Sequence, residues 1–420
     1  MTAAGFALPS PSPTMRAKFA RMALHTPIRA SACPSLYRLA PARDGFIARI
    51  RLPLGQLAPE AARAVAAAAR RFGNGTIEIT SRANLQVRGL AEANGAAFAE
   101  MLFASGLGAD PAAEDVLNVM VAPTHGREAL IDTGPLAKLL LDLLRGTPRY
   151  HALSPKFSIG LDGGEAAMPR AHPHDLWLRA VDAENYALGL ASSPLAQPLG
   201  AVPTAGAEKA VAALLDQVVA GGFTRMRDLL AQQRPNLAGL GPIPALPDAD
   251  AGAMPLGISG RIVGARPPLG RLTPDMLEAL AGFDGEVRLT PWQSVLLVDA
   301  ADPDAALRTF SDLGFAVTST APLAQMIACS GSSGCRSGRA DTLGDAPVLA
   351  EQLDRPMKIH LSGCEKSCAA ARALPVTLVA VAPGRYDLYC EDSEAQNRFG
   401  RRIGAGLGLG EIAFRLAGGA

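Results

Sequence analysis

Cys329 and Cys335 stand six positions apart in CSGSSGCRSGRA, and Cys364 and Cys368 four apart in SGCEKSC, in a chain of 420 residues with six cysteines. Four thiolates in the pattern C-x5-C-x28-C-x3-C have three readings: ligands of a cubane iron–sulfur cluster, ligands of a structural zinc ion, or unliganded thiols in a core. Zinc knuckles favour C-x2–4-C, because two close thiolates on a tight turn supply tetrahedral angles. The five-residue Ser/Gly insert makes a wider loop, suited to a cubane in which each iron takes one thiolate. Glycine and serine also leave backbone amides free to point at cluster sulfides. No second knuckle accompanies the four cysteines, and the chain has only six histidines. The 4Fe–4S reading therefore leads. Cys33 and Cys390 fall outside the pattern and are assigned no role, as buried free cysteines.

Other residues could bind or react. TSRANLQVRG at 80–89 puts Arg82 and Asn84 in a turn, with Gln86 and Arg88 on the polar face of the strand that follows. Arg82 reads either as a solvated turn residue or as a ligand contact; Lys156, opening KFSIG, has the same two readings. AHPHDLW carries His172, His174 and Asp175, which read either as a mononuclear non-haem iron site or as a polar surface loop. His125, His151 and His360 stand alone and are weaker metal candidates. GAGLGLG at 404–410 does not spell a dinucleotide fingerprint. Electrons are therefore expected from a separate reductase or from weakly bound NADH.

The elements that must position these residues occur twice. PLGQLAPE at 53–60 matches PLGRLTPD at 268–275. Each motif follows a strand-like stretch and precedes an Ala/Leu-rich helical segment, 59–72 and 274–282. Two hairpin-like stretches come next, GTIEITSRANLQVRGL and GEVRLTPWQSVLLVD. In the first, Ile77, Ile79, Leu85 and Val87 alternate with polar neighbours, as half-buried strands do. A looser third match pairs KFSIGLDGG with MKIHLSGC. The repeat implies a duplicated α+β fold with antiparallel sheets and pseudo-twofold symmetry. The second copy has Trp292 and Gln293 where the first has Arg82 and Ala83, and Trp292 reads as core. GLGPIPALPDADAGAMPLG at 239–257 reads as the linker between halves.

Composition agrees with a globular enzyme-sized chain. Hydrophobic content of 49% and charged content of 19% exclude a disordered polymer. A net charge of +1 and 5% aromatic residues argue against nucleic-acid or anionic-membrane partners. No apolar run reaches the length of a membrane span. Residues 1–43 contain no acid but six basic side chains, and we read 1–30 as a short arm rather than a transit peptide. No secretory signal is visible, so a reducing cytoplasm is expected, where paired cysteines bind metal or do redox chemistry.

With the cysteine pattern, the duplication and the Thr-x-Arg-x-x-x-Gln turn together, the chain resembles the sulfite and nitrite reductase superfamily over roughly residues 30–410. The resemblance implies two ferredoxin-like half-domains (31–105 and 258–318) and two sulfite-reductase-like α/β segments (106–238 and 319–420, the latter binding the cluster). It implies that Arg82, Asn84, Gln86 and Lys156 contact the ligand, and that Cys368 would bridge to the iron of siroheme wherever siroheme is the cofactor. Within the superfamily, ACPSLYRLAPARDGFIARIRLPLG at 32–55 is similar to the branch that uses molecular oxygen on a precorrin in aerobic cobalamin synthesis. That branch implies precorrin-3A, O2 and an electron donor as partners, with a meso-carbon hydroxyl and a γ-lactone in the product. It implies an iron centre whose ligands are not readable in the sequence. Sulfite reducers keep two lysines around the phenylalanine of KFSIG, whereas here Ser158 replaces the second, which argues against a doubly charged inorganic substrate. A siroheme-dependent sulfite or nitrite reductase is the alternative, and a non-catalytic electron-transfer subunit a further one.

Overall fold

The two PLG motifs fold alike. The computed structural model describes residues 33–108, 111–248, 250–370, 374–392, 394–395 and 397–418; the arm expected over 1–30 lies outside them. Leu54 and Gly55 both take positive φ (56° and 71°), as do Leu269 and Gly270 (51° and 73°). Two left-handed residues in succession reverse the chain sharply, and glycine carries the second at little cost. A Cβ on Gly55 would lie 2.6 Å from the Leu289 carbonyl oxygen, in the other half of the chain. Just past each turn the halves exchange backbone. Gln56 bridges to Arg288, and Arg271–Leu272 pairs with Ile77–Ile79.

The half-domain sheets follow from this exchange. The first runs Ala40–Pro41, Phe46–Ile50, Leu85–Leu90, Ile77–Ile79, Arg271–Leu272; the second runs Gly257–Ser259, Ile262–Ala265, Val295–Val298, Glu286–Leu289. The helices Pro59–Phe72 and Pro274–Leu280 begin with proline, whose missing N–H costs nothing at a helix start. The first buries Ala61, Ala62, Val65, Ala66, Ala68 and Ala69, a stripe of mostly small side chains against which the second helix packs closely. Arg70 bonds Asp275 and Glu278 across the pair. Both half-domains thus share one hydrophobic core, from Leu36 to Phe315.

The two α/β segments each build a five-stranded sheet of the same topology. One orders Val119–Val121, Ile159–Asp162, His174–Ala180, Asn185–Ser192, Gly200–Pro203; the other Met326–Ala328, Ile359–Ser362, Val376–Ala382, Arg385–Cys390, Arg401–Leu407. In both, the first three strands are parallel and the last two pairings antiparallel. The duplicated α+β architecture read from the sequence is the one observed, but the antiparallel sheets expected there hold only for the half-domains, since each five-stranded sheet begins with three parallel strands. Residues 239–248 and 250–256 are irregular but anchored: Gly241 N–H donates to the Ala201 carbonyl at 2.8 Å, and Gly252 lies where a Cβ would strike the Met168 carbonyl. Trp292, read as core, is only half-buried, because it sits at the tip of the second hairpin.

Candidate functional site

The cysteines sit where the second segment's sheet sends its loops. Met326–Ala328 and Ile359–Ser362 are adjacent and parallel, so both chains leave the sheet at the same edge. Cys329 opens one loop and Cys364 the other. Cys329 Sγ accepts from the Gly363 amide at 3.0 Å and lies 3.5 Å from the Gly331 amide. The loop glycines form a tight cradle. A Cβ on Gly363 would lie 3.2 Å from Cys329 Sγ and 3.1 Å from Gly331 Cα, and one on Gly338 would strike Gly331 at 2.3 Å. All four thiols are unpaired with one another. The Cys368 thiol is pushed up, first by burial and then by Cys364, Cys329 and Cys335, so the four sulfurs share one neighbourhood. Among the described residues no three His, Cys, Asp or Glu side chains close around a single ion. The four thiols, on the loops of two neighbouring parallel strands, could hold a cubane, with one thiolate for each iron.

The first half-domain holds this loop in place. Arg88 is almost fully buried and donates to the Gly334 carbonyl at 2.7 Å while pairing with Asp44 and Glu78. Ser330 Oγ donates to Glu78 at 3.3 Å. Arg88 therefore braces the cysteine loop and does not face a ligand.

Beside Cys368 opens a cleft of about 560 Å3, within the range of small-molecule and cofactor sites. Five cations line it, Arg49, Arg82, Lys156, Arg225 and Arg227, against one carboxylate, Asp175. The turn carrying Arg82 is built by Thr80, whose Oγ1 accepts from the amides of Arg82 and Asn84 at 3.3 and 3.1 Å, with Ala83 at φ 54°. Arg82 leans across to the first α/β segment and donates to the carbonyls of Lys156 and Pro155 at 3.0 and 3.4 Å. No carboxylate neutralises it among the described hydrogen bonds and ion pairs. Burial, then Arg51 and Arg49, push it down to about 10, which leaves it charged at neutral pH. Its guanidinium is half-buried on the cleft wall, held by those two carbonyls.

The other expected contacts divide. Lys156 lines the cleft, is exposed, and its ammonium has no protein partner among the described residues. Asn84 also lines it, but its Oδ1 is taken by the Leu52 amide at 2.9 Å. Gln86 is not on the cleft wall. Its Oε1 accepts from Arg49 at 2.8 and 3.2 Å, and its Nε2 donates to Glu78 at 3.2 Å. It orients Arg49, opposite it in the antiparallel register. Ser158 is buried, and its amide donates to Asp175 at 3.1 Å.

His172, His174 and Asp175 are neither a surface loop nor a three-ligand ion site. His174 and Asp175 begin a buried strand. The Asp175 carboxylate is used by Arg225 Nε at 2.8 Å and by the amides of Met226 and Ser158 at 3.0 and 3.1 Å. His125 is buried against the Ala122 carbonyl and Arg288, and His360 is buried within its sheet. Cys33, expected to be an inert core thiol, is half-buried and lines the cleft; Arg38 holds its carbonyl at 2.8 Å. Cys390 is half-buried at a strand end. Sequence reasoning missed Arg49, Arg225 and Arg227. Only Arg49 had a signal, as the cross-strand neighbour of Gln86.

Comparison with known proteins agrees with this architecture. The chain matches the nitrite/sulfite reductase ferredoxin-like half domain over residues 40–104 and 259–306, and the nitrite and sulphite reductase 4Fe-4S domain over 112–238. The latter match falls on the first α/β segment, the copy without the four cysteines. The chain belongs to the nitrite and sulfite reductase superfamily. It is 31% identical over 389 residues to precorrin-3B synthase of Sinorhizobium sp, covering 86% of this chain and 83% of that one. It is 29% identical to ferredoxin–nitrite reductase of Synechococcus elongatus, over 80% of this chain and 76% of the relative. Its fold matches Mycobacterium tuberculosis NirA with a TM-score of 0.69 at 20% identity, covering 88% of this chain and 79% of that one. Among the described residues no helix is long and apolar enough to cross a membrane.

Proposed function

We propose that the chain is an oxidoreductase that hydroxylates a precorrin with molecular oxygen, converting precorrin-3A to precorrin-3B in the cytoplasm. The observation that carries this reading is the charge of the cleft: five cations and one committed carboxylate suit a ligand bearing many acetate and propionate arms. Arg82 presents a planar fork to one carboxylate. Arg49, set by Gln86, and Lys156 and Arg227 are placed to take others. The precorrin-3B synthase relative supports the same reading, as does Ser158, which brings no cation to the wall.

Cys329, Cys335, Cys364 and Cys368 would hold the 4Fe–4S cluster, which supplies electrons one at a time when bound. In the overall reaction one oxygen atom enters the meso carbon and the other leaves as water, consuming two electrons and two protons. NADH or a separate reductase provides the electrons. The test is turnover of precorrin-3A under labelled oxygen by anaerobically purified protein with a reductant. One labelled atom in the product is the expected result. The nitrite reductase relative and the retained Lys156 favour a second reading, a siroheme-dependent nitrite or sulfite reductase. An iron–isobacteriochlorin extracted from the purified protein, with nitrite- or sulfite-dependent oxidation of a reduced dye, would establish it instead.

A further inference from the structure

Arginine and lysine only donate hydrogen bonds, so a cleft furnished with them reads acceptors and ignores donors. The oxygen acceptors on its wall are already engaged. Thr80 Oγ1 serves two amides, Asn84 Oδ1 serves Leu52, and Asp175 serves Arg225 and two amides. Apart from the Ser81 hydroxyl and the weakly accepting Cys33 and Cys368 sulfurs, the remaining side-chain acceptors are imidazole nitrogens. His172 is half-buried, and its Nδ1 lies 3.0 Å from the Pro173 carbonyl. A carbonyl can only accept, so Nδ1 carries the proton and the lone pair is on Nε2. Burial, then Arg82, push His172 down to about 4, which keeps the ring neutral and that lone pair available. His174 lies beside it, ring centroids 5.0 Å apart, 3% exposed, with both nitrogens unpartnered. Gly160 provides its seat: a Cβ there would lie 2.5 Å from the His174 ring. An unpartnered buried ring is costly in the empty protein, and a ligand that engages the pair recovers that cost.

We propose that His172, with His174 packed against it, is the acceptor face of the cleft, and that it selects a ligand carrying N–H donors inside a rim of carboxylates. A metal-free tetrapyrrole meets this description; its chelate with a metal that takes no axial imidazole, whose ring nitrogens have lost their hydrogens, does not. The inference rests on the reading of the cleft as a tetrapyrrole site.

The test is equilibrium binding of uroporphyrin III and its palladium(II) chelate, which share the same carboxylates and whose square-planar metal takes no axial imidazole, to the full chain purified anaerobically. Wild type should bind the metal-free form about tenfold more tightly, the scale of one well-made hydrogen bond. His172→Leu should erase that preference, and His172→Gln, which keeps an acceptor, should restore part of it. Arg82→Ala should weaken both forms alike. Equal or tighter binding of the palladium form by wild type overturns the inference whatever the variants do. So does an unchanged preference in a folded His172→Leu that keeps its visible absorption; if Arg82→Ala still weakens both forms, the tetrapyrrole reading stands without it. If wild type binds neither form, the reading of the cleft and the inference fall together.

Discussion

IGLDGGEA at 159–166 and IHLSGCEK at 359–366 occupy the same strand and turn in the two α/β sheets, yet they end in different chemistry. In the second, Cys364 leaves the turn toward the other three cysteines. In the first, Gly164 stands in its place, and the turn is filled by Asp162, Arg170 and Glu165, all buried. Arg170 binds Asp162 at 2.6 and 3.1 Å and the Glu165 carbonyl at 2.6 Å. The loop that carries Cys329 in one half begins with Ala122 in the other. One copy carries the four cysteines, and the other keeps the frame and fills the space with an ion pair. The docking is crossed as well. Arg88 of the first half-domain holds Gly334 of the second segment, while Arg288 of the second half-domain holds the Pro123 and His125 carbonyls of the first at 2.9 and 3.0 Å. A duplicated fold can thus repeat its joints while only one of two equivalent turns carries the cysteines.

Exchanging residues across the pseudo-twofold axis should break this comparison where the difference is chemical. The largest effect belongs to Cys364→Gly, which gives the second turn the glycine pair of the first. We expect complete loss of a stable cluster, read as labile sulfide and visible absorption of anaerobic protein. Gly164→Cys should create none, because no cysteine follows Val119–Val121.

The joints should differ in cost. Arg88→Met leaves Asp44 and the Gly334 carbonyl without their partner, and should cost about 3–5 kcal/mol in urea unfolding and speed cluster loss. Arg288→Met should cost less, because its carboxylate Glu286 is 34% exposed and regains water.

The equivalent hairpin turns give the next contrast. Arg82→Ala should weaken uroporphyrin III binding about ten- to a hundredfold, with Arg82→Lys recovering part of the loss. Trp292→Ala, at the matching position, should leave binding unchanged.

The smallest effect lies in the filled turn. Burial pushes Glu165 up to about 7 from an ordinary 4.5, and its Oε1 has no partner among the described residues. A carboxyl raised on folding contributes stability below its unfolded value and loses it as pH rises through the folded one. Wild type should therefore lose about 1–3 kcal/mol between pH 4.5 and pH 8 relative to Glu165→Gln, measured by urea midpoints at both values.

Much of this molecule is legible in one dimension. The PLG repeats mark the two turns where backbone is exchanged, because a pair of left-handed residues needs the same short sequence wherever it occurs. The cysteine spacing marks two loops that lie side by side, because the thiols follow the ends of two neighbouring parallel strands. What the spacing could not show is the wall of the cleft. Arg49, Arg82, Lys156, Arg225 and Cys33 come from separate stretches of chain, and only packing brings them together. The same holds for roles within a motif. Gln86 and Arg88 lie on the strand beside Arg82, but one orients Arg49 and the other locks the cysteine loop. The sequence determines which groups are available and where the chain must turn, since both depend on neighbours in the chain. Whether a charged side chain meets a ligand, a carboxylate or a carbonyl depends on partners dozens to hundreds of residues away, and only the tertiary structure decides that.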